Sequence, residues 1–127
     1  MRIAQSAISL NVPNVERSAE FLETHFGFHR EMEAEGFVSL TREDAGFNLI
    51  FLQVGLPSFR PATHEAAAGM GTLIIFVVDD IDAEWERLQG LDLFFPTTIQ
   101  TEPWGERFFQ MLDPNNIIYQ LVQWMEH

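Results

Sequence analysis

The sequence contains no cysteine, few basic residues and no long apolar run. Without cysteine, the chain can form neither disulfides nor thiolate-ligated zinc or iron–sulfur sites, and it has no thiol nucleophile. No stretch approaches the roughly 18 apolar residues of a membrane span. The first residues also lack the apolar run of a signal peptide. We therefore expect a cytoplasmic protein that does not interact with membranes.

Acidic residues greatly outnumber basic ones. Seven Lys+Arg against 19 Asp+Glu give a formal net charge of −12 at pH 7. A chain of this charge repels phosphate backbones, so we expect no nucleic-acid partner. It would attract a cationic small ligand, although the same charge can serve only to keep the protein soluble. The 127 residues, 46% of them hydrophobic, suffice for one domain with a hydrophobic core.

Two stretches of the chain repeat each other at an offset of 66 residues. Residues 12–22 align with residues 78–88, and each stretch is typical of a strand end, a turn and an amphipathic helix. Three strand-like runs follow each helix, bounded by turn residues. The predicted runs are 29–34, 37–41 and 47–54 in the first half, and 94–98, 107–112 and 117–124 in the second. Each half is therefore predicted to be a βαβββ module.

Helix boundaries and a connector complete the prediction. Asn14 and Asp80 are the expected N-caps, because their side-chain oxygens can accept hydrogen bonds from first-turn amides. Gly27 and Gly90 are expected to end the helices. We predict one α+β domain over 1–127, with module one at about 4–54, a connector at 55–71 and module two at about 72–125. A connector this long is typical of a site-forming loop, and residues 64–68 within it favour a short helix.

These elements resemble the vicinal oxygen chelate superfamily, which includes glyoxalase I, bleomycin-resistance proteins and extradiol dioxygenases. The resemblance covers nearly the whole chain. Its most specific parts are Val-Asp-Asp-Ile-Asp-Ala at 78–83, Pro-Trp-Gly-Glu-Arg at 103–107 and Asp-Pro-Asn-Asn at 113–116. In the last motif Asn116 stands where family members usually have glycine, and asparagine tolerates the left-handed backbone of such a turn. The resemblance implies two modules whose mixed sheets curl around one concave cavity, and it implies a homodimer.

The resemblance also implies where metal-dependent members bind a divalent ion. Their ligands, usually His, Gln or Glu, correspond to Ala7, Leu73 and Gln120, with a fourth position near Phe51 or Leu52. Alanine and leucine have no donor atom, and a glutamine amide is a weak ligand for such ions. We therefore expect neither a metal nor another cofactor.

Strand alternation predicts the residues that line the cavity. The candidate ligand-binding residues from the strands are Ala7, Ser9, Leu73, Ile75, Phe108, Gln110 and Gln120. They describe a mostly apolar pocket with a few amides, which suits an organic small-molecule ligand. We add Trp104, a loop residue whose indole can hold a planar or cationic ligand. We also add Arg107, which can bind a ligand carboxylate or form a salt bridge with one of the many acids.

Three functions fit this pattern, and no residue is assigned a catalytic role. No serine lies in a Gly-x-Ser-x-Gly elbow, and no glycine-rich phosphate loop is present. The leading hypothesis is metal-free, bleomycin-resistance-like sequestration of a hydrophobic or cationic aromatic small molecule. The alternative is a glyoxalase-type lyase, isomerase or dioxygenase with a relocated or absent metal site. The third is a structural or regulatory dimer with a vestigial cavity.

Overall fold

The structure is a computed structural model that describes residues 1–56 and 61–126. The chain divides into two compact units, Met1–Ala68 and Gly69–His127. Each unit contains one α-helix and one four-stranded mixed sheet in βαβββ order. The predicted α+β class with two similar modules is confirmed.

The first unit contains four strands and one helix. Its elements are β1 (Ala7–Val12), α1 (Val15–Phe26), β2 (His29–Ala34), β3 (Phe37–Thr41) and β4 (Asn48–Gln53). The strand order is β1-β4-β3-β2, in which β1 runs parallel to β4 and the other neighbours are antiparallel. A short 3₁₀ turn, Ala62–His64, follows β4.

The second unit repeats this topology. Its elements are β5 (Leu73–Val77), α2 (Ile81–Leu88), β6 (Gln100–Thr101), β7 (Glu106–Leu112) and β8 (Ile118–Trp124). The strand order is β5-β8-β7-β6, again with one parallel pair, β5 and β8. Identical order in both sheets confirms that the 66-residue sequence repeat is a structural repeat.

Both predicted N-caps are confirmed. The Asn14 Oδ1 accepts a hydrogen bond from the amide of Arg17 at 3.2 Å, and the Asp80 Oδ1 accepts one from Ala83 at 3.1 Å. Gly27 ends α1 in the left-handed conformation, with φ of 68°. Gly90 does not have this role, because α2 ends on Gln89 in a right-handed conformation and its last turn tightens through a 3.0 Å bond from the Leu91 amide to the Leu88 carbonyl.

The helices bury their apolar sides against their own sheets. The stripe predicted for α1, which comprises Val15, Ala19, Leu22 and Phe26, is buried. In the second unit Ile81 and Leu88 of α2 are buried, and the Trp85 ring lies edge-on to the fully buried Phe109 at 5.0 Å.

The strand predicted at 94–98 is wrong. Phe94 makes only an isolated bridge to Leu112, and the regular strand β6 begins at Gln100. Pro96 explains the difference, because proline has no amide hydrogen for a ladder and is disfavoured inside a strand. The segment still follows β7, since the Gln110 amide donates to the Thr97 carbonyl at 3.1 Å.

The connector is attached to β1 rather than folded as a helix over 64–68. The Asn11 side-chain amide donates to the carbonyls of His64 at 2.6 Å and Ala66 at 2.9 Å. The Ala68 amide donates to the Asn11 carbonyl at 2.8 Å. These bonds fix an extended path that replaces helical hydrogen bonding. Residues 57–60 of the predicted connector lie outside the described residues.

The turn at 113–116 has the predicted form. Asn116 adopts a φ of 67°, and the buried Asp113 accepts hydrogen bonds from the amides of Asn115 at 2.8 Å and Ile117 at 2.9 Å. Neither helix in the described parts of the chain has the length and apolar character needed to cross a bilayer.

Candidate functional site

The sheet of the second unit has one face covered by α2 and one face turned away from it. On the covered side, Phe109 contacts Trp85, and the Gln123 Oε1 accepts a hydrogen bond from the Ile81 amide at 3.0 Å. Since successive strand residues alternate, the neighbours of Phe109 and Gln123 lie on the opposite side. We call that side the second-sheet face. It comprises Leu73, Ile75 and Val77 of β5, Ile118, Gln120 and Val122 of β8, and Glu106, Phe108, Gln110 and Leu112 of β7.

The second-sheet face is apolar except at its centre and at one end. Leu73 and Ile75 are each 46% exposed, and Val77 is 65% exposed. In contrast, Phe108 and Val122 are buried. At the centre Gln110 lies directly opposite Gln120, and its Nε2 donates to the Gln120 Oε1 at 2.8 Å. Five of the nine predicted ligand-binding residues therefore share this face: Leu73, Ile75, Phe108, Gln110 and Gln120.

Ala7 and Ser9 belong to the first unit. Both are exposed residues of β1, where Ala7 pairs with Asn48 and Ser9 pairs with Ile50 of β4. By the repeat they are the counterparts of Leu73 and Ile75. The first unit therefore carries small residues where the second carries branched aliphatic ones.

Arg107 lies on the helix side of β7. Its guanidinium binds the Asp82 carboxylate at 2.6 Å and donates to the Thr101 hydroxyl at 2.8 Å. The hydrogen bond between the two side chains lowers the pKa of Asp82 and raises that of Arg107. A ligand carboxylate would have to displace Asp82, so of the two roles considered for Arg107 the geometry favours the salt bridge.

Trp104 lies at the tip of the hairpin between β6 and β7. The hairpin closes through hydrogen bonds from the Glu102 amide to the Glu106 carbonyl and from the Gly105 amide to the Glu102 carbonyl, at 2.8 and 2.9 Å. Gly105 has a φ of 94°, which only glycine adopts readily. Trp104 is 59% exposed, so this turn presents a large aromatic surface beside the end of the second-sheet face.

The sequence analysis missed the two carboxylates of this hairpin. Glu106 lies on the second-sheet face, two and four residues before Phe108 and Gln110, and strand alternation alone would have placed it there. Glu102 stands at the base of the same turn. None of the ion pairs in the described parts of the chain involves either residue.

The strand register corrects one of the four positions at which the resemblance implies a metal ligand. Ala7 pairs with Asn48, whereas its counterpart Leu73 pairs with Ile118, so the second unit has four more residues between its parallel strands. The counterpart of Gln120 is therefore Ile50, neither Phe51 nor Leu52, which shifted the expected position because the connecting loops differ in length.

The four corresponding residues do not fit a divalent metal. They are Ala7, Ile50, Leu73 and Gln120, which together offer a single neutral amide oxygen, and that oxygen accepts the bond from Gln110. Divalent ions in proteins need several carboxylate, imidazole or thiolate donors. Within residues 1–56 and 61–126, no three His, Asp or Glu side chains are grouped so that they could hold a metal ion.

Two further cavities lie in the first unit, away from the predicted residues. One, of about 350 Å³, is lined by both Glu16 and Glu33, and both carboxylates are bound by Arg30, at 2.6 and 3.0 Å. The hydrogen bond from Arg30 lowers the pKa of Glu16. The other, of about 620 Å³, lies beside Arg42 and Asp44, which form an ion pair at 2.6 Å. Their charges are thus already paired within the fold.

Comparisons with known proteins agree with this architecture. Three solved structures cover nearly all of the chain with low sequence identity. A glyoxalase/bleomycin resistance protein/dioxygenase from Nocardioides has a TM-score of 0.75 and 20% identity, with 99% of this chain and 86% of that chain covered. A superfamily member from Sphaerobacter thermophilus has a TM-score of 0.73 and 20% identity, with coverages of 97% and 98%. A lactoylglutathione lyase from Agrobacterium tumefaciens has a TM-score of 0.74 and 15% identity, with coverages of 96% and 94%.

At these identities the likeness extends to the fold alone. No curated protein matches the sequence. The family model of the Glyoxalase/Bleomycin resistance protein/Dioxygenase superfamily matches residues 4–121, which is most of the chain. The chain therefore belongs to the Glyoxalase/Bleomycin resistance protein/Dioxygenase superfamily.

Proposed function

We propose that the protein binds a hydrophobic or cationic aromatic small molecule on the second-sheet face without a metal, as bleomycin-resistance-type members of the superfamily sequester their ligands. The observation that carries the proposal is the replacement of metal-ligand positions by apolar side chains. Leu73 in the second unit, and Ala7 and Ile50 in the first, offer surface for packing and no donor for coordination. Exposed apolar residues on a sheet face are typical of a binding surface.

The charge distribution supports a cationic ligand over an anionic one. The net charge of −12 creates a negative potential around the chain. At the end of the second-sheet face, Glu102 and Glu106 stand beside Trp104 without an ion-pair partner in the described residues. An indole ring attracts cations through its π face. Arg107, the nearest basic side chain in β7, is bound to Asp82.

Binding without a metal has a direct test. We expect N-methylacridinium, a planar aromatic cation, to bind EDTA-treated protein with the same Kd before and after addition of Zn²⁺ or Mn²⁺. The melting temperature should likewise be unaffected by EDTA, since only a bound ligand that is removed changes stability. Isothermal titration calorimetry and thermal melting provide the two readouts. Binding that appears only after metal addition would support the metal-dependent lyase, isomerase or dioxygenase instead.

We also propose that the protein forms a homodimer, with the edge of β5 as the contact. β5 is an edge strand of its sheet, and Val77 at its end is 65% exposed. The equivalent edge in the first unit receives the connector, whose Ala68 amide bonds to Asn11, the counterpart of Val77. An apolar edge strand is prone to pair with another chain, and a second copy offers the same edge.

Sedimentation equilibrium at micromolar concentration tests the dimer. We expect a species of twice the 14.6 kDa chain mass, and a V77E variant, which places a charge on the edge, should sediment as the monomer. V77T, which keeps the branched shape, is the matched control and should remain dimeric. A wild-type protein that sediments only at 14.6 kDa would refute the dimer.

A further inference from the structure

The amide pair Gln110–Gln120 is the one polar feature at the centre of an apolar face. Gln120 is only 6% exposed, and Gln110 is half-buried. Their neighbours along the face are Phe108, Val122 and Ile75. Buried amides are costly unless their hydrogen-bonding groups are satisfied, so the pair constrains what can lie against it.

One hydrogen bond between two amides leaves an acceptor and a donor for a ligand. A glutamine side chain has one carbonyl oxygen and one NH₂ group. The Gln110 Nε2 donates to the Gln120 Oε1 at 2.8 Å, and no other hydrogen bond of these two side chains occurs among the described residues. The Oε1 of Gln110 and the Nε2 of Gln120 remain available. Reversing both amides exchanges these roles between the two residues and leaves the same complement.

The first unit lacks this feature at the equivalent positions. Ser39 lies opposite Ile50 in β3 and β4, as Gln110 lies opposite Gln120 in β7 and β8. The same sheet architecture therefore forms without the amide pair. A pair that the fold does not require, in the middle of an apolar surface, is suited to ligand selection.

We infer that the Gln110–Gln120 pair selects a planar aromatic ligand that carries a hydrogen-bond donor next to an acceptor, such as a lactam, an imide or a carboxamide. This inference rests on the proposed function and names its ligand class. The ligand N–H donates to the free glutamine carbonyl oxygen, and the ligand carbonyl accepts from the free NH₂. An aromatic of the same shape without the donor leaves a poorly hydrated carbonyl oxygen unpaired, which costs affinity.

Two probes of nearly equal shape test the inference. 2-Quinolone has the adjacent N–H and carbonyl, whereas 1-methyl-2-quinolone has lost the donor. We expect 2-quinolone to bind wild-type protein about tenfold more tightly, as one net hydrogen bond to a buried acceptor allows. In the Q110S/Q120I variant, which installs the residues of the first unit, the ratio should fall to about one. Quinoline, which lacks both groups, should bind the two proteins equally.

The outcomes separate the inference from the function on which it rests. Equal affinity of the two quinolones for wild-type protein overturns the inference without needing any variant, and so does a tenfold ratio that persists in Q110S/Q120I. In either case, binding of N-methylacridinium to metal-free protein still upholds the proposed function. If the quinolones, quinoline and N-methylacridinium all fail to bind, the proposed function and the inference are both refuted. Circular dichroism and the melting temperature report whether Q110S/Q120I is folded.

Discussion

Replacing Asp113 with alanine is expected to destabilise the protein by about 3 to 5 kcal/mol, since each of two hydrogen bonds to a charged acceptor contributes roughly 1.5 to 3 kcal/mol. The Asp113 carboxylate is 2% exposed and accepts from the amides of Asn115 and Ile117. Both of these residues are themselves buried. Alanine would leave their amides without an acceptor in a region that water reaches poorly. Urea denaturation followed by circular dichroism measures the loss.

Asn116 in the same turn provides the matched control. Its φ of 67° is a conformation that glycine adopts without strain. N116G should therefore change the free energy of unfolding by less than about 1 kcal/mol. If D113A lost no more stability than N116G, the turn would not depend on the aspartate hydrogen bonds.

Charge selectivity is the second large effect we expect. N-methylacridinium, acridine and acridine-9-carboxylate share one ring system and differ in charge. We expect affinity to decrease in that order, because the carboxylate meets the net negative potential and Arg107 is occupied by Asp82. The preference should weaken with added salt, since exposed charges are screened over about 8–10 Å at physiological ionic strength. Fluorescence titration of the three compounds at two salt concentrations measures both effects.

Trp104 and Glu106 should account for much of this selectivity. Truncation of Trp104 to alanine is expected to weaken N-methylacridinium binding by about 2- to 30-fold, the range of a cation–π contact of 0.5 to 2 kcal/mol. E106Q should reduce the preference for the cation. Its control is E86Q, which removes the same charge from an exposed position of α2. L91A, another exposed apolar truncation, controls for W104A. Unchanged binding in W104A, or tighter binding of the anion, would contradict a cation-binding surface.

Much of the fold was predictable because the signals are local. The caps Asn14 and Asp80 form their bonds within three residues, and the 66-residue repeat fixed the order of the elements. The failures have equally local causes. Pro96 interrupts the strand predicted at 94–98, and Asn11 binds the backbone of residues that were predicted to form a helix. That contact joins positions more than 50 residues apart, which no periodicity reveals.

The site was predictable only where strand parity carried the information. Alternation correctly grouped Ile75, Phe108, Gln110 and Gln120 on one face. It could not identify Ile50 as the counterpart of Gln120, because register depends on loop lengths that differ between the two units. It also failed in β2, where a bulge between Arg30 and Met32 interrupts the alternation and Glu31 accepts a hydrogen bond from Asn48.

Mapping the bound cation on EDTA-treated protein tests ligand binding at the second-sheet face most directly. We expect ¹⁵N-resolved NMR titration with N-methylacridinium to shift the backbone signals of Ile75 and Phe108 and the side-chain amide signals of Gln110 and Gln120 more than any in the first unit. Shifts confined to the first unit, or shifts that appear only when a divalent metal is added, would contradict metal-free binding at this face.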